Sequence, residues 1–494
     1  MSATAGAARG LQSRTRVHAH LREHGWVIAL WTAIVVWSTT LFLVMRDLFL
    51  DFRLARYDLG NMTQAVWSTA DGRPLDVTDG VTGDQMSRLG QHVDPILAVL
   101  APFWIVAPSP LTLVAVQIVA VSLGALPVLW LARRHLGSEH DAVLLALAYL
   151  AYPWIAWVAI DGFHPLTLAI PLLLLGIWFL DGDRLLPFAL CAGAAALTGE
   201  LVGVWIAGLG LWYAVARGHR RVGLLTSVAG LAWTVFAVRV VVPALSGESS
   251  DYYGVYDRVG GSPSGVVKTA FTDPLTIVSA ATTGGDIFYL VMLFAPLAGM
   301  FLLAPALAAV AIPQLAATLL AGFGAATDPR AHYIAGSVPF LVAATAMGLG
   351  RRSPAGRRRG VVLVLTLSVA FSLALGPWPL SPGRSVTSYW SEVPGERVEA
   401  LRSAVALVPE DASLSTTNRL GSHLAERRYF YSVPVVGRAE WIVLDAKDAW
   451  IPSTIGGDSD PDELEEFHAR IASSARWNEV FAREDVFVYR RVEP

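Results

Sequence analysis

Polar residues recur in a few short stretches of this chain, each set beside long apolar runs. Past the first run come Arg53, Arg56, Tyr57 and Asp58, then Asn61, Gln64 and Trp67, and further on Gln91, His92 and Asp94. Asp161-Gly162-Phe163-His164-Pro165 closes another run, and Gly199-Glu200 divides two more. Arg239 lies near the end of a later run, and Asp328-Pro329-Arg330-Ala331-His332-Tyr333 precedes another. Carboxylates (Asp58, Asp94, Glu200) are thereby gathered with cationic or titratable donors (Arg56, Arg239, Arg330, His92, His164, His332). Beside lipid, that combination suits transfer of a sugar from a polyprenyl phosphate. Such a donor keeps its tail in the bilayer and its phosphate at the interface. Its transfer needs a base for the acceptor hydroxyl and cations for the departing phosphate. Phosphate is already a good leaving group, so a protonating acid matters less than in glycoside hydrolysis. His92 and Asp94 also offer ligand atoms to a divalent metal, although two ligands do not define a site.

Each residue has a plainer reading as well. Asp58 fits a helix N-cap followed by Leu59-Gly60-Asn61, and a helix from there would put Asp58, Asn61 and Met62 on one face. A histidine before proline, as at His164, serves as a cap or a headgroup contact. Glu200 reads equally as an interfacial turn and as a cavity carboxylate, because an unpaired charge at membrane depth is costly. Arg239 either snorkels to headgroups or meets an anionic ligand. Arg330 and His332 together offer a guanidinium fork and an imidazole to a phosphate. The chain has no GxxxxGK[ST] loop, HExxH or CxxC, and its Arg-rich loops lack the interleaved aromatics of a nucleic-acid surface, so nucleic acid is not an expected partner.

The elements that must position these groups follow from composition. Of 494 residues, 54% are hydrophobic and 16% charged, with mean hydropathy +0.50; soluble chains carry about 25% charged residues. Apolar runs alternating with short charged clusters are the pattern of spans and loops. Met1 to Gly25 carries Arg9, Arg14, Arg16 and Arg22 ahead of an apolar run from Trp26 to Met45. That run has the length of a full span, with no small-residue cleavage site after it, so it reads as a retained first helix. Cys191 is the only cysteine, which excludes an intrachain disulfide.

Basic clusters set the expected orientation. The N-terminal tail, Arg133-Arg134-His135, Arg217 to Arg221 and Arg351 to Arg359 belong in the cytoplasm. Eleven spans satisfy all four: 26–45, 110–132, 141–160, 166–180, 185–198, 201–216, 222–244, 287–304, 305–321, 334–350 and 361–379. The pair 185–198 and 201–216 is short enough to be a hairpin interrupted at Gly199-Glu200, and 95–107 fits an interfacial or re-entrant helix. Segments 47–94, 161–165, 246–286 and 322–333 then face outward, as does everything after residue 380. There the composition turns soluble. Strands are expected at 413–417, 429–433, 441–444 and 486–491, with a helix at 461–474. The expected organisation is a cytoplasmic basic tail (1–25), an all-α multi-span domain (26–380) and a small extracytoplasmic α/β domain (381–494).

The outward segments also carry a family resemblance. Tyr57-Asp58-Leu59-Gly60 with Gln64-Ala65-Val66-Trp67 is similar to a signature of predicted prokaryotic membrane proteins grouped as the domain of unknown function DUF2079. The likeness continues through Gln91-His92-Val93-Asp94-Pro95, Ala101-Pro102, Pro108-Ser109-Pro110-Leu111, Gly124-Ala125-Leu126-Pro127, Phe163-His164-Pro165-Leu166 and His332-Tyr333. Where relatives often show Lys-Glu-Asp, this chain has Thr198-Gly199-Glu200 and so retains one carboxylate. The family resembles GT-C glycosyltransferases, whose first outer loop carries an essential acidic residue, matched here by Asp58. The resemblance implies a GT-C-like fold in the plasma membrane and a transferase with an extracytoplasmic site. The donor would be a polyprenyl-phosphate sugar, and the acceptor an envelope glycan, lipid or protein. Asp58 is then the expected base, with Arg56, Arg239, Arg330 and His332 at the phosphate. Tyr57, Gln64, His92, Asp94, His164, Glu200 and Tyr333 would line the pocket. Two other classes remain open: a transporter or flippase for a lipid-linked or anionic substrate, using Glu200 and Arg239, and a non-catalytic envelope scaffold.

Overall fold

The structure is a computed structural model that describes residues 2–246, 251–378, 381–382, 393–453 and 456–492. The side chains of the basic N-terminal tail lie outside the described residues. Among the described residues, four helices are long and apolar enough to cross a membrane: Gly25–Leu50, Pro110–Leu136, Arg220–Ser246 and Pro354–Leu375. Two bent pairs add to them, Glu139–Ala151 with Pro153–Ile160 at 49°, and Pro274–Ala280 with Gly284–Leu297 at 63°. Shorter apolar helices are Ile96–Val106, Pro165–Asp181, Leu185–Ala196, Val202–Ala216, Pro305–Leu320 and Val338–Gly350.

This differs in detail from eleven unbroken spans, and proline is the main reason. Pro153 cannot donate to the preceding turn and holds Tyr152 extended at ψ 114°, so the expected span 141–160 is bent in the middle. The expected outer segment 246–286 is more than a loop. It contains helices Pro263–Thr272 and Pro274–Ala280, each capped by a side chain, Ser262 and Asp273 respectively. Its residues 247–250 lie outside the described residues.

Local signals set the frame of the bundle. Ser109 caps the helix Pro110–Leu136 by accepting from Leu111 N–H at 3.2 Å, with proline at the first helical position. Gly137 ends it at φ 65°, and Ser138 caps the next helix. The three later basic clusters meet at this end. The Arg134 guanidinium lies 2.9 Å from the Asp181 carboxylate, His135 also 2.9 Å and Arg217 3.6 Å, while Arg357 donates to the Leu136 carbonyl. Gln117, on the same helix as Arg134, lies about 25 Å away at 1.5 Å per residue. Near Gln117 the bundle has its other polar end.

Small residues let Val202–Ala216 and Arg220–Ser246 pack backbone to backbone. A Cβ on Gly203 would lie 2.2 Å from the Gly230 carbonyl, and one on Gly210 2.5 Å from that of Gly223; this is the close approach that helix pairs in lipid exploit. Thr234 and Trp233 donate to the carbonyls of Glu200 and Gly199 at 2.8 and 3.4 Å, which fixes the turn carrying Glu200.

Strands β1 (Asp76–Thr78) and β2 (Gln85–Ser87) form an antiparallel hairpin in the first loop. The C-terminal region holds β3 (Leu414–Thr416), β4 (Phe430–Ser432), β5 (Trp441–Asp445), β6 (Trp450–Ser453), β7 (Gly456–Ser459), β8 (Trp477–Arg483) and β9 (Val486–Arg491). Five of them make a mixed sheet in the order β4-β3-β5-β9-β8, with β3 parallel to β4 and β5. Period-two alternation splits β5 between two cores. Val443 packs with Leu401 and Ala404 of the helix Gly395–Leu407, and Ile442 and Leu444 pack with Phe467 and Ile471 of the helix Pro461–Ala472. The sequence expectation located β3, β4, β5, β9 and the second helix; it missed β6, β7, β8 and the first helix.

The sheet is fastened to the first loop along its edge strand β4, whose free backbone groups need partners. Phe430 N–H donates to Thr78 Oγ1 at 3.1 Å, and Arg56 donates to Phe430 O at 2.7 Å, to Thr78 O at 3.1 Å and to the Ser432 hydroxyl. Gln64 donates to Arg427 O at 3.0 Å and accepts from Thr78 N–H at 3.0 Å. Phe52 inserts its side chain into the sheet domain's core. His423 donates from Nε2 to Phe49 O at 2.9 Å, between the rings of Phe49 and Phe52 at 4.0 and 4.1 Å.

Burial, with Arg402 nearby, pushes His423 down to about 4. The imidazole is therefore neutral when folded, and the unfolded chain binds the extra proton below its ordinary pKa of about 6.5. Docking stability is full above that value and falls as pH drops from 6.5 toward 4. Thermal melts across this range should show the midpoint decreasing with pH, and His423→Phe should flatten part of that slope.

Candidate active site

The turn after Pro153–Ile160 is held by one buried side chain. Gln117 has no exposed surface. Its amide N–H groups donate to the carbonyls of Val158, Ala159 and Gly162 at 3.2, 3.2 and 3.0 Å. Its oxygen accepts from His164 N–H at 2.8 Å and Thr167 Oγ1–H at 2.9 Å. Gly162 turns the chain at φ 60°, where a side chain would be strained. Asp161 and His164 consequently face the same space. His332, on the turn His332–Gly336, enters it from the far end of the chain. Its backbone N–H donates to Asp161 Oδ2 at 3.0 Å, and its Nδ1 lies 3.3 Å from the same oxygen. The imidazoles of His164 and His332 stack with centroids 3.6 Å apart.

Asp58 closes the group. Its Oδ2 lies 3.8 Å from His164 Nε2, and its side chain is 44% exposed. Sequence reading had offered it as a helix cap. Instead the helix Asn61–Ala70 starts beyond it, with no side-chain cap, and Asp58 has φ 72° and ψ −80°. A Cβ on Gly162 would come within 3.2 Å of the Asp58 Cβ, so that glycine lets the two turns approach. His164 Nε2 is buried without a hydrogen-bond partner among the described residues, 3.5 Å from Asp161 Oδ2. Burial and the neighbouring His332 keep His164 below its ordinary value, against the pull of Asp58 and Asp161. At Asp161 burial pushes upward, but the His332 hydrogen bond and the two imidazoles outweigh it and hold the carboxyl low. Asp161, His164 and His332 each offer one ligand atom, all within 4.8 Å of one another, so this trio can hold a metal ion.

A second set flanks the first. Arg88 pairs with Asp94 through Nε and Nη2 at 3.2 and 3.0 Å. His92 Nδ1 lies 3.3 Å from Glu200 Oε1, and Val93 N–H donates to Oε2 at 3.1 Å. Burial pushes Glu200 upward, yet His92 and these hydrogen bonds draw it down to about 2. Burial raises Asp94, with the Arg88 pairing only partly offsetting it. Glu200 is thus a fixed carboxylate in a polar turn, joined to the first loop.

The remaining expected residues divide. Arg330 forks onto Asp328 at 2.6 to 3.0 Å and lies 6.0 Å from the Trp157 ring; donating to Asp328 raises its already high pKa. Tyr333 packs 4.2 Å from the His332 ring. Arg56 and Gln64 are turned away from this space and serve the β4 edge. Tyr57 donates its backbone N–H to Asn418 Oδ1 at 3.0 Å, with its ring against Trp450 at 4.3 Å. Arg239 is exposed on a π-turn and forms no hydrogen bond or ion pair among the described residues. Four participants were not named as site residues from sequence: Asp161, Gln117, Arg88 and Asp328. Asp161 had a visible signal, since it sits three residues before His164 in one short motif. Gln117 is a lone amide within an apolar run, and that was its signal.

Residues 48–478 match the family described as "Predicted membrane protein (DUF2079)". No curated protein matches the chain. Among solved structures, the chain is similar to the crystal structure of ArnT from Cupriavidus metallidurans bound to undecaprenyl phosphate. Identity is 13%, the likeness covers 95% of this chain and 98% of that one, and the TM-score is 0.56. At that identity the likeness is one of fold: this is a membrane protein with a GT-C, ArnT-like fold.

Gln117→Leu tests the scaffold. It keeps the volume but strips partners from three carbonyls and one buried N–H, each costing about 1–3 kcal/mol when left unpaired. Denaturant unfolding in detergent should show a loss of roughly 3 kcal/mol or more; an unchanged midpoint would show that the turn is held by other means.

Proposed function

The chain belongs to the DUF2079 family of predicted membrane proteins, and from that premise we propose that it is a membrane glycosyltransferase. In this reading it moves a sugar from a polyprenyl-phosphate donor to an envelope acceptor on the extracytoplasmic face. One observation carries the reading. An accessible carboxylate, Asp58, is held in a strained turn over Asp161, the buried His164 and His332, at the polar end of the bundle remote from Arg134, Arg217 and Arg357. The positive-inside rule then makes the Asp58 end extracytoplasmic. The undecaprenyl phosphate bound by ArnT supports a lipid phosphate as the donor's carrier.

The chemistry follows from the geometry. Asp58 accepts the proton of the acceptor hydroxyl as its oxygen bonds to the anomeric carbon of the sugar. The bond from that carbon to the phosphate oxygen breaks, and the phosphate leaves with the electron pair. Asp58 suits this role because its backbone is fixed on both flanks while its carboxylate is open to substrate. His332 and Arg330, on one turn beside Trp157, are the groups best placed to face the leaving phosphate. His92 and Glu200 would border the acceptor. Arg56 and Gln64 act at one remove, by holding the loop. Arg239 lies apart and is left out of the pocket.

Membranes bearing Asp58→Asn, supplied with labelled polyprenyl-phosphate sugars, provide the test. Loss of a general base predicts a fall in transfer of about 10²–10⁴-fold, with the protein still folded and the donor still retained. Full transfer by that variant would remove Asp58 from the mechanism.

A further inference from the structure

We propose that Asp161, His164 and His332, with Asp58 as a fourth ligand, form a binding site for one divalent transition-metal ion. The inference concerns the same cluster as the proposed function, but it stands on donor geometry and its test reads metal rather than sugar transfer.

Three observations carry it. First, Asp161 has the right separation from both imidazole nitrogens, and Asp58 lies slightly farther out. Asp161 Oδ2 lies 3.3 Å from His332 Nδ1 and 3.5 Å from His164 Nε2, and Asp58 Oδ2 lies 3.8 Å from His164 Nε2. Bonds of about 2.0–2.2 Å to a tetrahedral ion such as zinc require ligand atoms roughly 3.3–3.5 Å apart. Second, His164 Nε2 is buried and has no hydrogen-bond partner among the described residues, although burying a polar nitrogen unpaired is unfavourable. A metal ion supplies the missing partner. Third, the surroundings select a cation over an anion. The carboxylates of Asp58 and Asp161 border the two imidazoles. The neighbouring guanidiniums are engaged elsewhere, Arg88 with Asp94 and Arg330 with Asp328.

The supports of the ligands are those expected of a built site. Gln117 fixes the turn that carries Asp161 and His164, and His332 N–H orients the Asp161 carboxylate. Two nitrogens and two carboxylate oxygens suit zinc or manganese better than magnesium or calcium, which prefer all-oxygen shells. Asp58 differs from the other three in being nearly half exposed. It therefore completes the shell from the open side, where a substrate oxygen could replace it.

The full chain in nanodiscs, stripped with chelator and titrated with Zn²⁺, tests the site by calorimetry and elemental analysis. One ion per chain is expected. Asp161→Asn and His164→Ala should each weaken binding by more than about 100-fold, beyond the loss typical of outer-shell changes. Asp58→Asn should weaken it less, and His219→Ala, near the Arg134 end, should leave it unchanged. If a ligand variant fails to fold, Co²⁺ in the native chain gives the answer. Intense visible bands report four-coordinate binding, whereas weak octahedral bands or none overturn the proposal. Absence of stoichiometric zinc in the native chain, or full retention by folded His164→Ala, would likewise overturn it. Zinc binding that survives in a chain without transferase activity would uphold this site while removing the glycosyltransferase reading.

Discussion

A guanidinium carried wholly into the interior has to be bonded where it lands, because a buried charge without partners is strongly unfavourable. Arg56 has no exposed surface, and its partners are the backbone of β1 and the edge strand β4, with the Phe430 ring 4.3 Å away. Burial brings it down to about 10, still charged at neutral pH. That contact joins the sheet domain to the loop carrying Asp58, and smaller ones complete it. Ser422 donates to Leu54 O, Tyr57 N–H reaches Asn418, and Gly60 and Gly421 meet backbone to backbone. A Cβ on Gly421 would fall 2.2 Å from the Arg56 Cβ, so nothing larger fits. With both flanks tied, Asp58 sits at a φ that costs about 1–3 kcal/mol and persists only where the surroundings over-determine it. The C-terminal domain thus helps set the conformation of the first loop.

Much of this fold was legible because lipid leaves few options. In a bilayer each backbone group must be satisfied within its own segment, so apolar runs of sufficient length are helices. Runs 26–45, 222–244 and 361–379 correspond to Gly25–Leu50, Arg220–Ser246 and Pro354–Leu375. Legibility failed where proline or capping residues cut a run into pieces. Pro153 bent one helix, and Asp273 and Thr283 started new ones inside a segment read as a loop. In the sheet domain, β3, β4, β5 and β9 were readable from their apolar or aromatic content. Strand β8, Trp477–Arg483, escaped because it is largely exposed and its charges hide the alternation.

The site was legible by type more than by partnership. His164, His332 and Asp58 were singled out as chemistry-bearing residues, and the structure brings them together. Arg56 looked equally suited to a phosphate, because sequence shows that a residue is cationic but not which way it points. Only Tyr57 separates Arg56 from Asp58, and the turn between them sends one toward the sheet and the other toward the bundle. Arg239 fails for a related reason. It sits on a helix whose neighbours Val235, Phe236 and Val240 are all at least half exposed, and that face addresses lipid.

The pieces converge on a site assembled from bodies of different stiffness. Asp161, His164 and their support Gln117 belong to the helical bundle, where interdigitated side chains permit little displacement. His332 comes from a turn that leads into Val338–Gly350, a helix buried almost throughout. Asp58 alone comes from a loop, and that loop takes its shape from a sheet domain outside the bundle. The distance between Asp58 and His164 therefore depends on the seating of that domain more than on either turn by itself. At 3.8 Å the two are too far apart to be hydrogen-bonded. Such a division places three of the groups on the helical bundle and the exposed carboxylate on a loop that the sheet domain holds.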